Sequence, residues 1–178
     1  MQGTIEDRLS QFSEANGMIY GNEGSCLQDI FQHKRVIEIG AYEGYSTLLI
    51  GQVAKEVLSI DTFMADNIPG NLRGQSTLNA YIENKPSNAK FIVGNSHVYG
   101  TYNRVQKQWY NGLFIDGDHS YDGCMKDLTI YIPLLTPNAV VCLHDFSPRQ
   151  FPGVMAAAVN YFKRLPDKIT GSVAVYYL

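Results

Sequence analysis

Apolar residues along this chain fall in five short runs, each followed by a longer stretch whose apolar positions recur at helical spacing. The runs predict strands at 36–39, 57–60, 91–93, 113–115 and 140–143. The stretches predict helices at 46–55, 74–84, 99–108, 121–135 and 154–164, with Ser46 capping the first, and two more at 5–12 and 26–31 precede the first strand. Such alternation is typical of parallel βαβ units joined by right-handed crossovers.

The segment 168–178 departs from this alternation, because its β-rich residues flank Gly171 and Ser172 and leave no room for a crossover helix. We therefore expect an antiparallel hairpin or edge that closes a mostly parallel sheet. We expect one domain, 1–178, in which 1–33 forms a helical cover and 34–178 the α/β core. The polar, glycine-punctuated residues 69–74 predict a surface loop beside the ligand site.

Composition and charge narrow the classes of function. The chain has 178 residues, of which 45% are hydrophobic and 17% charged, as in an ordinary globular domain. Its net charge of −3 gives no broad basic surface, so we expect no nucleic-acid partner. No apolar run is long enough to span a membrane, and the acidic start is unlike a signal peptide, which predicts a cytoplasmic protein. The widely spaced Cys26, Cys124 and Cys142 are predicted to be reduced, packed thiols.

Most predicted parallel strands end in an acidic residue or turn, and ligands of open α/β sheets bind outside the carboxyl ends of the strands. After the first strand, Gly40 and Gly44 let the backbone turn sharply and approach a ligand, while Glu38 could hold a cationic or hydroxyl group. The spacing is not G-x-G-x-x-G, which favours a ligand without a diphosphate, although a glycine pair also occurs in ordinary strand-to-helix turns. Asp61, at the end of the second strand, could accept ribose hydroxyls. The two features together indicate an adenosine-type ligand.

Five blocks in order along the chain resemble the class I S-adenosylmethionine-dependent methyltransferases. Within them, the resemblance is to the small-molecule O-methyltransferase-like group that carries a D-G-x-H-x-Y signature. The blocks are V-I-E-I-G-A-Y-E-G-Y-S-T, S-I-D-T-F, F-I-V-G-N-S, L-F-I-D-G-D-H-S-Y-D-G-C-M-K-D-L and L-L-T-P-N-A-V-V-C-L-H-D. The resemblance implies a Rossmann-like α/β fold, with a mostly parallel seven-stranded sheet, helices on both faces and an antiparallel C-terminal edge.

The resemblance also implies that S-adenosyl-L-methionine is the cofactor. The first loop would hold the methionine part of the cofactor and approach the ribose. The end of the second strand would contact the ribose and the base, and the turn after the third strand would contact the adenine. The implied contacts are Glu38, Gly40, Ala41, Tyr42, Gly44, Tyr45, Ser46, Asp61, Thr62, Phe63, Gly94, Asn95, Ser96, Asp116, Gly117 and Asp118. Asn95 stands where the family usually has aspartate, but its carbonyl oxygen can still accept a hydrogen bond.

Methyl transfer to a hydroxyl needs an in-line approach to the sulfonium methyl and removal of the acceptor proton. His119 matches the position of the lysine that takes this proton in catechol-type relatives, and it can be neutral near pH 7. A loop histidine bonded to a backbone carbonyl is the alternative. Asp116 and Asp145, which complete the predicted catalytic set, match aspartates that hold Mg²⁺ in those relatives, and Phe146 replaces the asparagine beside them. Mg²⁺ or another divalent cation at Asp116 and Asp145 is one interpretation, and direct contact of Asp145 with the acceptor is the other.

We therefore expect O-methylation of a small hydroxylated acceptor, such as a sugar or glycoside. Two alternatives stay open: a metal-assisted or NAD-linked enzyme on a similar fold, and a module that binds the cofactor without catalysis. The chain is too short for a separate substrate domain, so a homo-oligomer that helps to close the acceptor site is also open.

Overall fold

The computed structural model describes residues 19, 21–64 and 73–178. The predicted helix 5–12 and the loop residues 69–72 lie outside this part of the chain. The helices are α1 Glu23–Phe31, α2 Tyr45–Gly51, α3 Arg73–Asn84, α4 Tyr99–Tyr102, α5 Tyr121–Tyr131 and α6 Pro152–Phe162, with a 3₁₀ turn at Ile132–Leu134. The strands are β1 Arg35–Ile39, β2 Glu56–Asp61, β3 Ala89–Val93, β4 Gly112–Ile115, β5 Val140–Leu143, β6 Lys168–Thr170 and β7 Val173–Tyr177.

These strands form one seven-stranded sheet in the order β3-β2-β1-β4-β5-β7-β6. The first five run parallel, while β7 pairs antiparallel with both β5 and β6. The predicted α/β fold with an antiparallel C-terminal edge is therefore confirmed. The order changes direction between β1 and β4, and a crevice opens at such a switch point beyond the carboxyl ends of the strands.

The central strands are apolar because both faces of the sheet are covered. All four residues of β4 and of β5 are buried, which is why these strands read as continuous hydrophobic runs. Successive side chains on a strand point to opposite faces, so Ile37 packs into the core under α5 and α6 while Val36 packs into the core under α1 and α2. Within the described residues, no helix has both the length and the apolar character needed to cross a membrane.

Two predictions about the helices, the cap at Ser46 and the extent of 99–108, are wrong. The predicted cap Ser46 is wrong: α2 begins after Gly44, whose φ of 91° is left-handed, and the Ser46 hydroxyl turns inward. The predicted helix 99–108 is helical only over Tyr99–Tyr102. Beyond it the chain is held by the region after α5, where the backbone nitrogen of Gln108 donates to the carbonyl oxygen of Leu134 at 2.8 Å. Tertiary hydrogen bonds therefore override the helical spacing of 103–108.

Candidate active site

A cavity of about 650 Å³ opens beyond the carboxyl ends of β1, β2, β3 and β4, where the strand order changes direction. This volume lies in the range of small-molecule sites. Most of the predicted cofactor-binding residues line it. The lining comprises Ile39, Gly40, Tyr42, Ile60, Asp61, Thr62, Phe63, Met64, Thr77, Gly94, Asn95, Ser96, His97, Asp116, Gly117, Asp118 and His119. The predicted contacts absent from this lining are Glu38, Ala41, Gly44, Tyr45 and Ser46.

Glu38 lies beneath the cavity and is fully buried. Its carboxylate accepts hydrogen bonds from the hydroxyls of Ser46 and Ser59, both at 2.6 Å, and from that of Thr47. Burial raises the pKa of Glu38 from 4.5 to about 7. The carboxylate oxygens of Glu38 bind the start of α2 to β1 and β2, and its contact with a ligand stays a prediction. Ser46 serves the same internal contact and does not reach the cavity.

Gly40 is required by close packing of the protein against itself. Its φ is 86°, and a Cβ there would lie 2.0 Å from the carbonyl oxygen of Asp116. The loop after β1 and the loop after β4 thus touch backbone to backbone, which glycine alone permits. The sequence prediction located this close approach correctly, but the neighbouring group is the protein's own main chain.

Asp61 fixes the shape of the first loop. One carboxylate oxygen accepts from the backbone nitrogens of Ala41 and Tyr42, both at 2.8 Å, and the other accepts from that of Phe63 at 2.6 Å. A carboxylate offers about four lone-pair positions, so the oxygen that bonds Phe63 keeps an acceptor position at the cavity wall. Asp61 can therefore shape the loop and receive a ligand hydroxyl.

The turn after β3 forms another wall of the cavity, and it contains a residue that the sequence interpretation passed over. His97 lines the cavity, and its Nε2 lies 3.1 Å from Oδ1 of Asp127, which is fully buried in α5. Burial raises the pKa of Asp127 from 3.8 to about 6. Oδ1 of Asn95 accepts a hydrogen bond from the backbone nitrogen of His97 at 2.8 Å. The amide oxygen that was expected to meet adenine therefore already stabilises this turn. No spacing rule connects His97 with Asp127, because they meet only when α5 packs against the turn after β3.

At the other end of the cavity His119 lies between two carboxylates. Its Nε2 is 3.0 Å from Oδ2 of Asp145 and 3.6 Å from Oδ1 of Asp116, and its ring packs 4.6 Å from that of Phe151. Asp116 and Asp145 raise the pKa of His119 from 6.5 to about 9. The raised pKa favours the charged imidazole in the unliganded protein, so the predicted role of His119 as a base requires that this proton first be released. The three predicted catalytic residues, His119, Asp116 and Asp145, lie next to one another in the structure. The partners of the His119 ring are carboxylates, and not the backbone carbonyl of the alternative interpretation.

His144 extends this cluster into the interior. Its Nδ1 lies 3.2 Å from Oδ1 of Asp116 and 3.5 Å from Oδ2 of Asp145, and its Nε2 lies 3.4 Å from Oε2 of Glu23. Burial lowers the pKa of His144, but Asp116 and Asp145 raise it more, to about 11. Asp145 has a φ of 56°, a left-handed conformation that aspartate tolerates and that turns its carboxylate towards both histidines. Glu23 was missed by sequence reasoning because α1 reaches this cluster only in the folded protein.

Several solved structures share this fold at low sequence identity. CalS11, a TDP-rhamnose 3'-O-methyltransferase, is 13% identical with a TM-score of 0.61, over 97% of this chain and 92% of that one. TomG from Streptomyces achromogenes, an O-methyltransferase in complex with S-adenosylmethionine, is 15% identical with a TM-score of 0.64, over 92% and 80%. MycE, a methyltransferase in complex with Mg, S-adenosylhomocysteine and mycinamycin VI, is 13% identical with a TM-score of 0.58, over 98% and 53%.

Sequence comparison gives one curated relative and a family. The uncharacterized protein y4gI of Sinorhizobium fredii is 23% identical over 141 residues, which cover 74% of this chain. They cover only 15% of the length of y4gI, so this chain matches a small part of that protein. The model of the family described as methyltransferase domain matches residues 37–146, more than half of the chain, and the chain belongs to that family.

Proposed function

We propose that this chain transfers the methyl group of S-adenosylmethionine to a hydroxyl of a small acceptor, such as a sugar or glycoside. The observation that carries this proposal is the arrangement of one cavity, with an acceptor for ribose hydroxyls at Asp61 and the histidine–carboxylate cluster around His119 at its other end. The likeness to CalS11 and TomG, both O-methyltransferases, supports O-methylation, and the TDP-rhamnose substrate of CalS11 supports a sugar acceptor.

The cavity fits the cofactor in size and chemistry. Asp61 offers acceptor positions to a ribose, Phe63 and Ile60 offer apolar surface to a base, and Asn95 keeps its amide hydrogens for a base nitrogen. Asp116 brings negative charge to the wall where a positively charged sulfur would lie. S-adenosylmethionine would supply a methyl group activated by that positive charge.

In the proposed reaction the acceptor oxygen forms a bond to the methyl carbon while the carbon–sulfur bond breaks and its electron pair stays on sulfur. The acceptor hydroxyl must also lose its proton, and we assign that proton to His119, which lines the cavity and whose Nε2 lies 3.0 Å from Oδ2 of Asp145. In the unliganded protein Asp116 and Asp145 hold a proton on His119. Positive charge brought next to these carboxylates weakens their hold on that proton and frees the imidazole to act as a base.

We also propose a divalent cation beside Asp116 and Asp145, which the Mg bound by MycE supports. Ligand atoms of Asp116, Asp145 and His144 lie within 4.8 Å of one another, so these residues fit a cation. Such a cation would orient the acceptor oxygen and favour its deprotonated form. Phe146 contributes no oxygen donor, and its side chain is buried.

The proposal is tested with purified protein, S-adenosylmethionine and a panel of glycosides and catechols, with methylated product detected by mass spectrometry. We expect His119→Ala to lower kcat by about 10²- to 10⁴-fold, the usual contribution of a general base. Binding of S-adenosylhomocysteine, measured by calorimetry, should be unchanged in this variant. Tight binding of NAD without binding of S-adenosylhomocysteine would overturn the proposal.

The second candidate is a module that binds the cofactor without catalysis, and the proton held on His119 by two carboxylates favours it. If this candidate is right, the same experiment will show that the wild-type protein binds S-adenosylhomocysteine but transfers no methyl group to any acceptor.

The cytoplasmic location and the homo-oligomer stay predictions. The three cysteines are buried and unpaired, which supports a reducing compartment.

A further inference from the structure

We propose that His144 is a metal ligand oriented by Glu23, so that this cluster prefers a borderline metal such as Co²⁺ or Zn²⁺ to Mg²⁺. The inference rests on the proposed function, because it names the chemistry of the cation at the same site. It goes further by giving roles to two buried residues that lie 121 positions apart in the sequence.

The spacing of the donor atoms is the first argument. Oδ1 of Asp116 lies 3.2 Å from Nδ1 of His144, which in turn lies 3.5 Å from Oδ2 of Asp145. Oxygen and nitrogen donors bind such ions at about 2.0–2.2 Å, which places neighbouring donors about 3 Å or slightly more from each other. Nδ1 of His144 therefore lies at ligand-to-ligand distance from both carboxylates, and the donor atoms of all three side chains lie within 4.8 Å of one another.

The state of the His144 ring is the second argument. The side chain is only 5% exposed, and its Nδ1 is buried without a well-aligned hydrogen bond although two carboxylates are close. A buried polar atom left in this way costs free energy unless another partner satisfies it. Nδ1 points into the space between Asp116 and Asp145, where an ion would be that partner.

The contact behind the ring is the third argument. Nε2 of His144 lies 3.4 Å from Oε2 of Glu23, while Oε1 of Glu23 accepts from the hydroxyl of Ser172 at 2.9 Å and from its backbone nitrogen. A metal-bound histidine usually gives its other N–H to a carboxylate, which fixes the tautomer and turns the free nitrogen towards the ion. Glu23 is held for this role from α1 on one side and from the turn between β6 and β7 on the other.

The donor chemistry decides which cation fits. Mg²⁺ prefers an octahedral shell of oxygens, whereas imidazole nitrogen suits the first-row transition ions and zinc. Two carboxylates with one imidazole make a mixed donor set, and Phe146 adds no oxygen to it. His119 is one third exposed and faces the cavity, so we assign it to the acceptor and not to the ion.

The test uses the full chain stripped of metal with a chelator and dialysed, then titrated separately with Mg²⁺, Mn²⁺, Co²⁺ and Zn²⁺ in a calorimeter. The visible absorption of bound Co²⁺ reports nitrogen ligation independently of activity. We expect Co²⁺ to bind the wild type far more tightly than Mg²⁺, because imidazole favours it. His144→Asp replaces nitrogen by oxygen and should shift the preference towards Mg²⁺ by about tenfold or more, with a changed Co²⁺ spectrum.

Glu23→Gln should weaken Co²⁺ binding by about 10- to 100-fold, the usual effect of losing such a partner. Ser172→Ala is its matched control, because it removes a contact to Glu23 but leaves the pair with His144, and it should bind Co²⁺ like the wild type. His119→Ala should also keep the metal. Glu23→Gln and His119→Ala remain informative if His144→Asp does not fold.

Three outcomes overturn the proposal: no metal binds, the ratio of Co²⁺ to Mg²⁺ affinity is the same in the wild type and His144→Asp, or His119→Ala loses the metal while Glu23→Gln keeps it. In the first case a charged imidazole, not a cation, lies between the two aspartates. Binding of S-adenosylhomocysteine is measured in the same samples. If it binds and no metal does, this inference and the proposed cation fail while methyl transfer from S-adenosylmethionine stands. If metal binds but neither S-adenosylhomocysteine binding nor methyl transfer occurs, the proposed function fails.

Discussion

Glu38 carries a carboxyl group that the fold buries completely and surrounds with three hydroxyls. Burial raises its pKa from 4.5 to about 7 in the folded protein. Between these two pH values the folded protein keeps a proton that the unfolded chain has lost. The group therefore gives its full support to stability below about pH 4.5, and that support is lost as the pH rises through 7.

The magnitude follows from the size of the shift. One pKa unit corresponds to 1.36 kcal/mol, so a rise from 4.5 to about 7 amounts to about 3 kcal/mol of unfolding free energy. Glu38→Gln has no such proton to lose. The free energy of unfolding of the wild type minus that of Glu38→Gln should therefore fall by about 3 kcal/mol between pH 4 and pH 8.

The measurement is urea unfolding at several pH values, followed by circular dichroism, with the slope m compared between the proteins. Glu83→Gln is the matched control for the loss of one carboxyl group, because Glu83 is exposed on α3. A wild-type minus Glu38→Gln difference that is flat or rises with pH would refute the reasoning. It would mean that the three hydroxyls stabilise a charged carboxylate better than burial disfavours it.

Two further predictions concern the loop around the cavity. Gly40→Ala should lower the unfolding free energy by about 2–5 kcal/mol, because the position combines a left-handed φ with a clash of the added Cβ against the Asp116 carbonyl. Gly21→Ala is the control, because Gly21 is also left-handed but has open space, and it should lose about 1–2 kcal/mol. Equal losses in urea unfolding would contradict the close packing at Gly40. Asp61→Ala should weaken S-adenosylhomocysteine binding by about tenfold or more in calorimetry, since it removes the hydrogen-bond acceptor that holds the first loop and that we propose for the ribose. Unchanged affinity would show that the ribose lies elsewhere.

The parallel strands could be predicted from the sequence because each is buried on both faces, and such strands are continuous apolar runs. The acidic strand ends could be predicted for the same reason, since polar residues interrupt these runs where the chain leaves the core. The extent of helix 99–108 could not, because hydrogen bonds from Gln108 to the region after α5 replace helical ones. Helical spacing is a local property of the sequence, whereas the end of this helix is set by hydrogen bonds to Leu134 and Leu135, which are distant in sequence.

The sequence by itself determined the sheet, its antiparallel edge and most of the residues that line the cavity. The tertiary structure alone decided what those residues do. It bound Glu38 to hydroxyls of the protein, paired His97 with Asp127, and joined Glu23 to His144, which lie 121 residues apart in the sequence. The physical reason is that strand positions follow from local hydrophobic pattern, whereas ionisation and donor geometry depend on which groups the fold brings within about 3–4 Å.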